Sequence, residues 1–349
     1  METLQPLFGI FHRQIDGDEA LLRLARVEFE RAGMGAEIYP GSVDEALFLW
    51  RFVPRTTERH LVHLPRHWDL LSVIDRDQVV EFATALRGRA RGLVLHDDPT
   101  WSQRRRDLER ALEQLDRELE KTPGAPPVYL EYAAGLELDA FADLIEAAAP
   151  LPRISACVDT GHVALFSARK RLEEMRPGLD ALALEPDQPA LGELLPLFDQ
   201  TVEEVRADVA RLVERLGRIG KPLHFHLHDG HLLSRHSEYF DEYGVRDHIG
   251  FRQPIPVPTW VSPSGELRPL LGEPGLRRVL ATAFANLESC SLTLEIHPTR
   301  ARLRKPLGEH APLFAHWTDL GHAEMMHHWL GVLVEEHAWI QSLCAELRQ

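Results

Sequence analysis

The stretch ISACVDTGH (154–162) joins a short, largely apolar run to two polar side chains, Asp159 and His162. A run of this length bounded by a Gly-containing turn predicts a buried strand. Because an ionised carboxylate at the end of a buried strand is costly without a partner, Asp159 indicates a functional site there. His162 follows three residues later and can turn toward the same ion, so both residues are candidate metal ligands.

Similar runs recur along the chain, each followed by a polar turn and an amphipathic pattern. The predicted strands are 6–12, 35–40, 60–65, 91–97, 127–132, 154–159, 223–229 and 291–297, and the predicted helices include 18–33, 77–89, 104–121 and 201–220. Such alternation predicts a parallel α/β sheet. Eight strands favour a closed (β/α)8 TIM barrel. The alternative, a doubly wound sheet, would carry a phosphate-binding GxGxxG after its first strand, and this chain does not.

The remaining segments are predicted to decorate one domain, 1–349, whose barrel core is about 5–300. A loop insertion at about 230–270 follows the seventh strand, and its Pro- and Gly-containing part (233–267) predicts a lid or binding loop without helix or strand. A C-terminal extension, about 306–349, carries an added helix from about Ala323 to Leu347. The long loops and this helix also suggest a homodimer.

Composition limits the classes of function. The 349 residues carry a formal net charge of −15, which disfavours nucleic acid as a partner and favours a small polyol or phosphorylated substrate. Three cysteines without paired spacing indicate neither disulfides nor a Cys-type zinc site. No apolar run reaches the roughly 18 residues of a membrane span. No secretory signal is recognisable at the N-terminus, so we expect a cytoplasmic protein.

Polar residues at the predicted strand ends are the candidate ligands. In a barrel of parallel strands these ends meet at one rim, together with the loops that follow. The candidate metal ligands are His63, His96, Glu131, Asp159, His162, His226, His248 and Glu295. Imidazole and carboxylate without thiolate suit Zn, Mn, Fe or Co, and this number of ligands favours two or three ions per chain. The alternative is a structural network of ion pairs and capped histidines at the same rim.

Further residues are candidates for second contacts. His224 and His228 lie two residues from His226 on the same strand, so one of them could point inward as a partner of a ligand. Asp229 is expected behind the ligands or in solvent, and the sequence leaves open whether Asp229 or Asp247 joins the site. The basic stretch after the last strand contains Arg300 and Arg302, which could clamp a phosphate or carboxylate or lie on a solvated helix face.

The strand ends carry a family resemblance. The segments VYLEYAAG (128–135), ACVDTGH (156–162), HFHLHDG (224–230) and LTLEIHP (292–298) resemble the xylose-isomerase-like TIM-barrel superfamily. This group includes sugar phosphate isomerases and epimerases and the endonuclease IV branch, AP endonuclease family 2. The resemblance extends from about His12 to Glu295 and is specific at the strand ends.

Each branch of the superfamily implies a different site. For isomerases and epimerases the resemblance implies one ion bound by Glu131, Asp159, His226 and Glu295, with His162 contacting the substrate. For endonuclease IV and the UV-damage endonucleases it adds His63, His96 and His248. The chain departs from endonuclease IV in having Arg246, with Asp247 adjacent, where that enzyme has an Asp two residues before the loop His.

A second departure concerns nucleic acid. The aromatic wedge that opens DNA is not recognisable, and Arg66 and His67 occupy its region. A small-molecule substrate is therefore favoured over DNA. The residues expected to contact it are Arg66, His228, Arg300 and Arg302.

Three functions are consistent with these residues. The favoured one is a metal-dependent hydrolase of a phosphoester, with Glu131 bridging two ions and His162 and Glu295 also in the catalytic set. The alternative is a sugar or sugar-phosphate isomerase or epimerase, with one ion and Glu131 and Glu295 as an acid–base pair. A metal-stabilised protein without catalysis is the third.

Overall fold

The computed structural model describes residues 18–55, 60–179, 190–230, 248, 250–251, 260–262, 265–267, 269–296 and 322–349. The predicted strand 6–12 and the candidates Asp247, Arg300 and Arg302 lie outside these residues.

Within the described residues, seven parallel strands form one sheet. They are β1 (Glu37–Ile38), β2 (His60–His63), β3 (Ala90–His96), β4 (Val128–Glu131), β5 (Ile154–Asp159), β6 (Leu223–Leu227) and β9 (Cys290–Leu294), paired in that order. An antiparallel pair, β7 (Trp260–Ser262) and β8 (Gly265–Leu267), lies in the segment between β6 and β9. The prediction that this segment contains no strand is therefore wrong.

Helices alternate with the strands. They are α1 (Glu19–Ala32), α2 (Val43–Leu49), α3 (Val73–Ala85), α4 (Arg105–Glu120), α5 (Leu138–Ala147), α6 (Thr160–Met175), α7 (Ala190–Gly217), α8 (Gly272–Asn286) and α9 (His322–Glu346), with a short 3-10 helix at Pro99–Arg104. The added helix near the C-terminus is thus confirmed as α9. The prediction for 201–220 begins too late, because the helix already contains Pro196 in its second turn. No helix in the described part of the chain is both long and apolar enough to cross a membrane.

The chain divides into two compact units. The first contains Met1–Asp159, Leu212–His226 and Ala283–Leu294, and the second contains Thr160–Arg211, Leu227–Thr282 and Glu295–Gln349. The sheet belongs almost entirely to the first unit. The expectation of one domain stays a prediction.

The sheet of the first unit curls on itself. Glu37 on β1 is five strand intervals from His226 on β6 in the order of the sheet, which would be about 24 Å in a flat sheet. A carboxylate oxygen of Glu37 nevertheless lies 3.1 Å from Nε2 of His226. The fold is therefore an α/β TIM barrel, as predicted, with both residues pointing to its interior.

Side chains inside the barrel form two layers. Residues two apart on a strand share a face, so each strand contributes one residue to each layer. The lower layer is a buried cluster of Leu61, Val94, Tyr129 and Cys157. The residues two positions later on the same strands form the upper layer, which consists of His63, His96, Glu131 and Asp159. The candidate ligands therefore lie at the carboxyl ends of the strands, directly above an apolar floor.

Gly92 makes room for the largest residue of that floor. A Cβ atom on Gly92 would lie 2.3 Å from Cε2 of Tyr129, far inside van der Waals contact. Glycine at this position lets the Tyr129 ring fill the barrel interior between β3 and β4.

Candidate metal centre

Glu131 occupies the centre of the upper layer. It ends β4, its side chain is 1% exposed, and its two carboxylate oxygens face different histidines. Oε2 lies 2.9 Å from Nε2 of His63 and 3.4 Å from Nε2 of His96. Oε1 lies 3.1 Å from Nδ1 of His226. One buried carboxylate is thus shared by imidazoles from three other strands.

The orientation of His63 determines which of its nitrogens faces Glu131 as an acceptor. Nδ1 of His63 lies 2.8 Å from the carbonyl oxygen of Leu64, and a carbonyl only accepts, so Nδ1 carries the proton. In a neutral imidazole Nε2 then has only a lone pair, and it points at a carboxylate oxygen 2.9 Å away. Two acceptors this close require a proton or a metal cation between them.

The ionisation of this group is consistent with shared protons in the metal-free state. Burial by itself would raise the pKa of Glu131, but His226 and His96 outweigh it and hold the pKa well below its ordinary value. Burial would also lower the pKa of His63, but its hydrogen bond and charge interaction with Glu131 raise the pKa overall. A bound cation can replace these protons, since metal ligation needs neutral imidazole and ionised carboxylate.

Two of the possible donor sets in the first unit share Glu131. Ligand atoms of His63, His96 and Glu131 lie within 4.8 Å of one another, and so do those of Glu131, Asp159 and His226. All five side chains are buried. Oxygen and imidazole ligands at these separations fit divalent zinc, manganese, iron or cobalt.

Glu37 is a buried carboxylate that was not among the predicted site residues. It contacts Nε2 of His226 and Nε2 of His224, and its ligand atoms also group with His63 and His226. A sequence signal for Glu37 exists, because this residue interrupts the apolar run of a predicted strand, as the predicted ligands do. The prediction considered residues at strand ends, and Glu37 lies inside the run rather than at its end.

Asp97 is a second carboxylate outside the predicted set. It follows β3 and accepts hydrogen bonds from the backbone N–H groups of Ala133, Gly135 and Leu136, at 2.8, 3.0 and 2.9 Å. Burial raises the pKa of Asp97 to about 7, although these three bonds oppose the shift. Asp97 therefore holds the loop that leaves Glu131 and fixes the end of β4.

The second unit brings three predicted residues together. Nε2 of His162 lies 3.3 Å from Nε2 of His248, and the ring of His228 stacks on that of His248 with centroids 3.7 Å apart. The three side chains are buried and form a further possible metal-binding group. His248 also lies near Glu295, with Nδ1 and Oε1 3.7 Å apart. His162, His228, His248 and Glu295 are therefore neighbours within this unit.

The structure also places two further predicted residues, Asp229 and Arg66. Asp229 is fully buried and accepts from the N–H groups of Gly230, Leu271 and Gly272, so it holds the chain at the start of α8 and does not face solvent. Arg66 is exposed in the turn after β2, three residues beyond His63. Arg66 is thus accessible to a substrate.

Comparison with known proteins gives distant structural likeness. No family model matches the chain, and no curated protein matches it. Similar solved structures include GH5_18 from Streptomyces cattleya in complex with Manb1-4GlcNAc, at 11% identity and a TM-score of 0.47 over 84% of this chain and 70% of that one. A xylose isomerase domain protein from Alicyclobacillus acidocaldarius subsp. acidocaldarius has 13% identity and a TM-score of 0.42 over 96% of this chain and 100% of its own.

A third similar structure is the carboxyl transferase domain of Rhizobium etli pyruvate carboxylase with pyruvate. It has 10% identity and a TM-score of 0.35 over 97% of this chain and 49% of that one.

Proposed function

We propose that the protein is a divalent-metal-dependent hydrolase of a phosphoester and that its first unit binds two cations bridged by Glu131. The observation that carries this proposal is the division of the Glu131 carboxylate, with Oε2 directed at His63 and His96 and Oε1 directed at His226. A carboxylate bridging two ions is the arrangement used for displacement at phosphorus, where two metals hold the attacking and leaving oxygens.

In this proposal the protein contributes the metal ligands and an apolar layer of side chains beneath them. His63, His96 and Glu131 would bind one ion, and Glu131, Asp159 and His226 the other. When bound, the ions would supply Lewis acidity and a coordinated water of lowered pKa. The cluster of Leu61, Val94, Tyr129 and Cys157 lies below these ligands and excludes water from that side.

Arg66 is the proposed contact for the substrate phosphate. Its guanidinium can bind two phosphoryl oxygens at once, and it lies exposed just after the strand that carries His63. The net charge of −15 makes long-range attraction of a polyanion unfavourable. We therefore favour a small phosphorylated substrate over DNA.

The second unit is proposed to bind a third ion through His162, His228 and His248. Nδ1 of His228 donates to the carbonyl oxygen of Asp229 at 3.0 Å, which leaves Nε2 of the neutral ring with a lone pair. An all-imidazole group of this kind suits zinc.

The isomerase or epimerase is kept as a second candidate. It is favoured by the fact that Glu131, Asp159 and His226 by themselves offer three ligands for a single ion. In that reaction His63 and His96 would contact substrate hydroxyls instead of metal.

Metal stoichiometry tests the proposal. The protein is purified without chelator, loaded with zinc or manganese, desalted and analysed for metal, as wild type and as His63→Gln. We expect about three ions per chain, two of them in the first unit, and the loss of about one of these two in His63→Gln. His60→Gln is the matched control, because His60 lies on the same strand but contacts the backbone at Ala36 and Pro54. Unchanged metal content in His63→Gln would reject the two-ion site and favour the isomerase.

A further inference from the structure

Glu37 has no assigned role although it lies among the proposed ligands. Its side chain is 0% exposed, and its oxygens lie 3.1 and 3.2 Å from Nε2 of His226 and 3.3 Å from Nε2 of His224. A buried charge is retained only where its partners compensate the loss of hydration. Two imidazole nitrogens are such partners, so the carboxylate of Glu37 is the acceptor between them.

An ionised carboxylate defines the protonated nitrogen of each partner. Because Glu37 can only accept, Nε2 of His226 and Nε2 of His224 are the donors. The second nitrogen of His224 agrees with this assignment, since Nδ1 lies 2.8 Å from the hydroxyl of Ser291, which can donate to it.

The consequence for His226 is that its other nitrogen, Nδ1, faces the proposed metal site, 3.1 Å from Oε1 of Glu131. In the metal-free protein a proton lies between these two atoms, and metal ligation replaces it, because a ligating imidazole is neutral. We propose that Glu37 is a positioning residue that fixes His226 as an Nδ1 metal ligand. This inference rests on the proposed function and adds a residue to it.

Glu37 would also set the strength of this ligand. His63 has the opposite arrangement, with Nδ1 bonded to the neutral carbonyl of Leu64 and Nε2 facing the metal. The acceptor behind His226 is an anion, which makes the imidazole more basic and fixes the plane of its ring. The two ions of the first unit would thus be bound by histidines whose other ring nitrogens donate to different acceptors. The affinity for the ion bound by His226 is expected to depend on Glu37.

Two variants separate the charge of Glu37 from its hydrogen bonds. Glu37→Gln keeps an oxygen acceptor without the charge, and Glu37→Leu removes both in a similar volume. Losses of this kind of partner commonly reduce metal affinity 10- to 100-fold. We expect the smaller reduction for Glu37→Gln and the larger for Glu37→Leu, measured by competition with a chromogenic chelator for zinc.

The tautomer of His226 provides a readout that is independent of activity. In protein labelled with 15N-histidine, long-range proton–nitrogen correlation spectra distinguish the two neutral tautomers. In the zinc-loaded protein we expect His226 to carry its proton on Nε2 in the wild type and in Glu37→Gln, and to populate both tautomers in Glu37→Leu, because the acceptor that fixes the ring is then absent. Asp116→Asn is the control, since Asp116 is also buried but accepts from the backbone N–H of Arg153.

The outcomes distinguish this inference from the proposed function. Wild-type affinity and an unchanged tautomer in both variants would overturn the role of Glu37 and leave the metal site intact. If the wild type binds no divalent ion, the proposed function and the ligand role of His226 fail together. Should Glu37→Leu not fold, as judged by circular dichroism, the affinity of Glu37→Gln decides the question.

Discussion

Nε2 of His63 and Oε2 of Glu131 are 2.9 Å apart at the centre of the barrel, with Nδ1 of the same ring bonded to a backbone carbonyl. The relationship matters because a neutral His63 would then point a lone pair at a carboxylate. A proton or a cation must lie between them, so the pair responds directly to metal loading.

Replacing Glu131 should reduce the effect of metal on stability. Ligands that bind only the folded state raise its stability by about 2.7 kcal/mol at 100 times the Kd. We expect zinc or manganese to raise the Tm of the wild type more than that of Glu131→Gln, because the amide cannot bridge two cations and the ion proposed for the second unit remains in the variant. Thermal unfolding with and without metal measures this, with the exposed Glu81→Gln as control. An equal rise in Glu131→Gln would contradict the bridging role.

The close approach of Gly92 to Tyr129 predicts a cost for any added side chain. Gly92→Ala would place a methyl carbon 2.3 Å from the ring, and overpacking of this kind costs about 1–3 kcal/mol. Urea unfolding should report this loss in the free energy of unfolding. Gly331→Ala is the matched substitution, because Gly331 lies in α9 with no atom within 4 Å of an added Cβ, and alanine there should be neutral or stabilising by about 0.5–1 kcal/mol. Equal stability of Gly92→Ala and wild type would contradict the tight packing.

The histidines of the second unit are sensitive to a neighbouring glycine. A Cβ on Gly161 would lie 2.0 Å from Cε1 of His228, so Gly161→Ala must displace that ring and its stacking on His248. Alanine has a higher helix propensity than glycine, and Gly161 lies in a helix. A loss of bound metal in Gly161→Ala therefore cannot be ascribed to a weaker helix. We expect Gly161→Ala to bind about one ion fewer per chain, measured by metal analysis. Gly331→Ala should keep the full content, and a full content in both variants would reject the third ion.

Lys221, which lies just before β6, predicts a pH-dependent contribution to stability. Its ammonium donates to the carbonyl oxygens of Ala148, Leu151 and Ile154 at 2.6, 2.6 and 2.8 Å. Removing it in Lys221→Met takes a charged donor from all three carbonyls, although those of Ala148 and Leu151 still accept from backbone N–H groups, and should cost about 1–3 kcal/mol.

The pH dependence of that cost follows from the pKa of Lys221. Burial lowers this pKa from 10.5 to about 8, although Asp116 opposes the shift. Between these values the unfolded state binds more protons than the native state, so the contribution of Lys221 rises with pH. The difference between wild type and Lys221→Met in urea unfolding should therefore be larger at about pH 9.5 than at neutral pH. Lys121→Met, at an exposed ion pair with Glu118, is the control, and a difference that shrinks with pH would contradict the sign.

The sequence predicted which residues share the interior of the barrel, but not how they pair. Glu131, Asp159 and His226 could be found because each interrupts or ends an apolar run, and burial makes that pattern expensive without partners. The contacts of Glu131 with His63 and His226 could not be found, because they depend on the curl of the sheet and on side-chain rotamers. The same holds for Glu37, whose partners on β6 are distant in sequence and in strand order.

The irregular parts of the chain were harder to predict than the strands. The antiparallel pair β7–β8 lies among Pro and Gly residues, where local patterns favour turns and do not reveal pairing. Asp229 was expected behind the ligands or in solvent, yet it bonds to backbone N–H groups of residues 271 and 272. Such a capping contact depends on where a helix distant in sequence begins. The residues around Asp229 carry no information about that position.

The three thiols of the chain are all buried, and this makes them reporters of local opening. Burial raises the pKa of the Cys157 and Cys344 thiols, which suppresses the reactive thiolate while the fold is closed. Cys157 lies in the floor of the barrel within the first unit, and Cys344 lies in α9 within the second. Alkylation followed by mass spectrometry would therefore time the unfolding of each unit separately, without any engineered label.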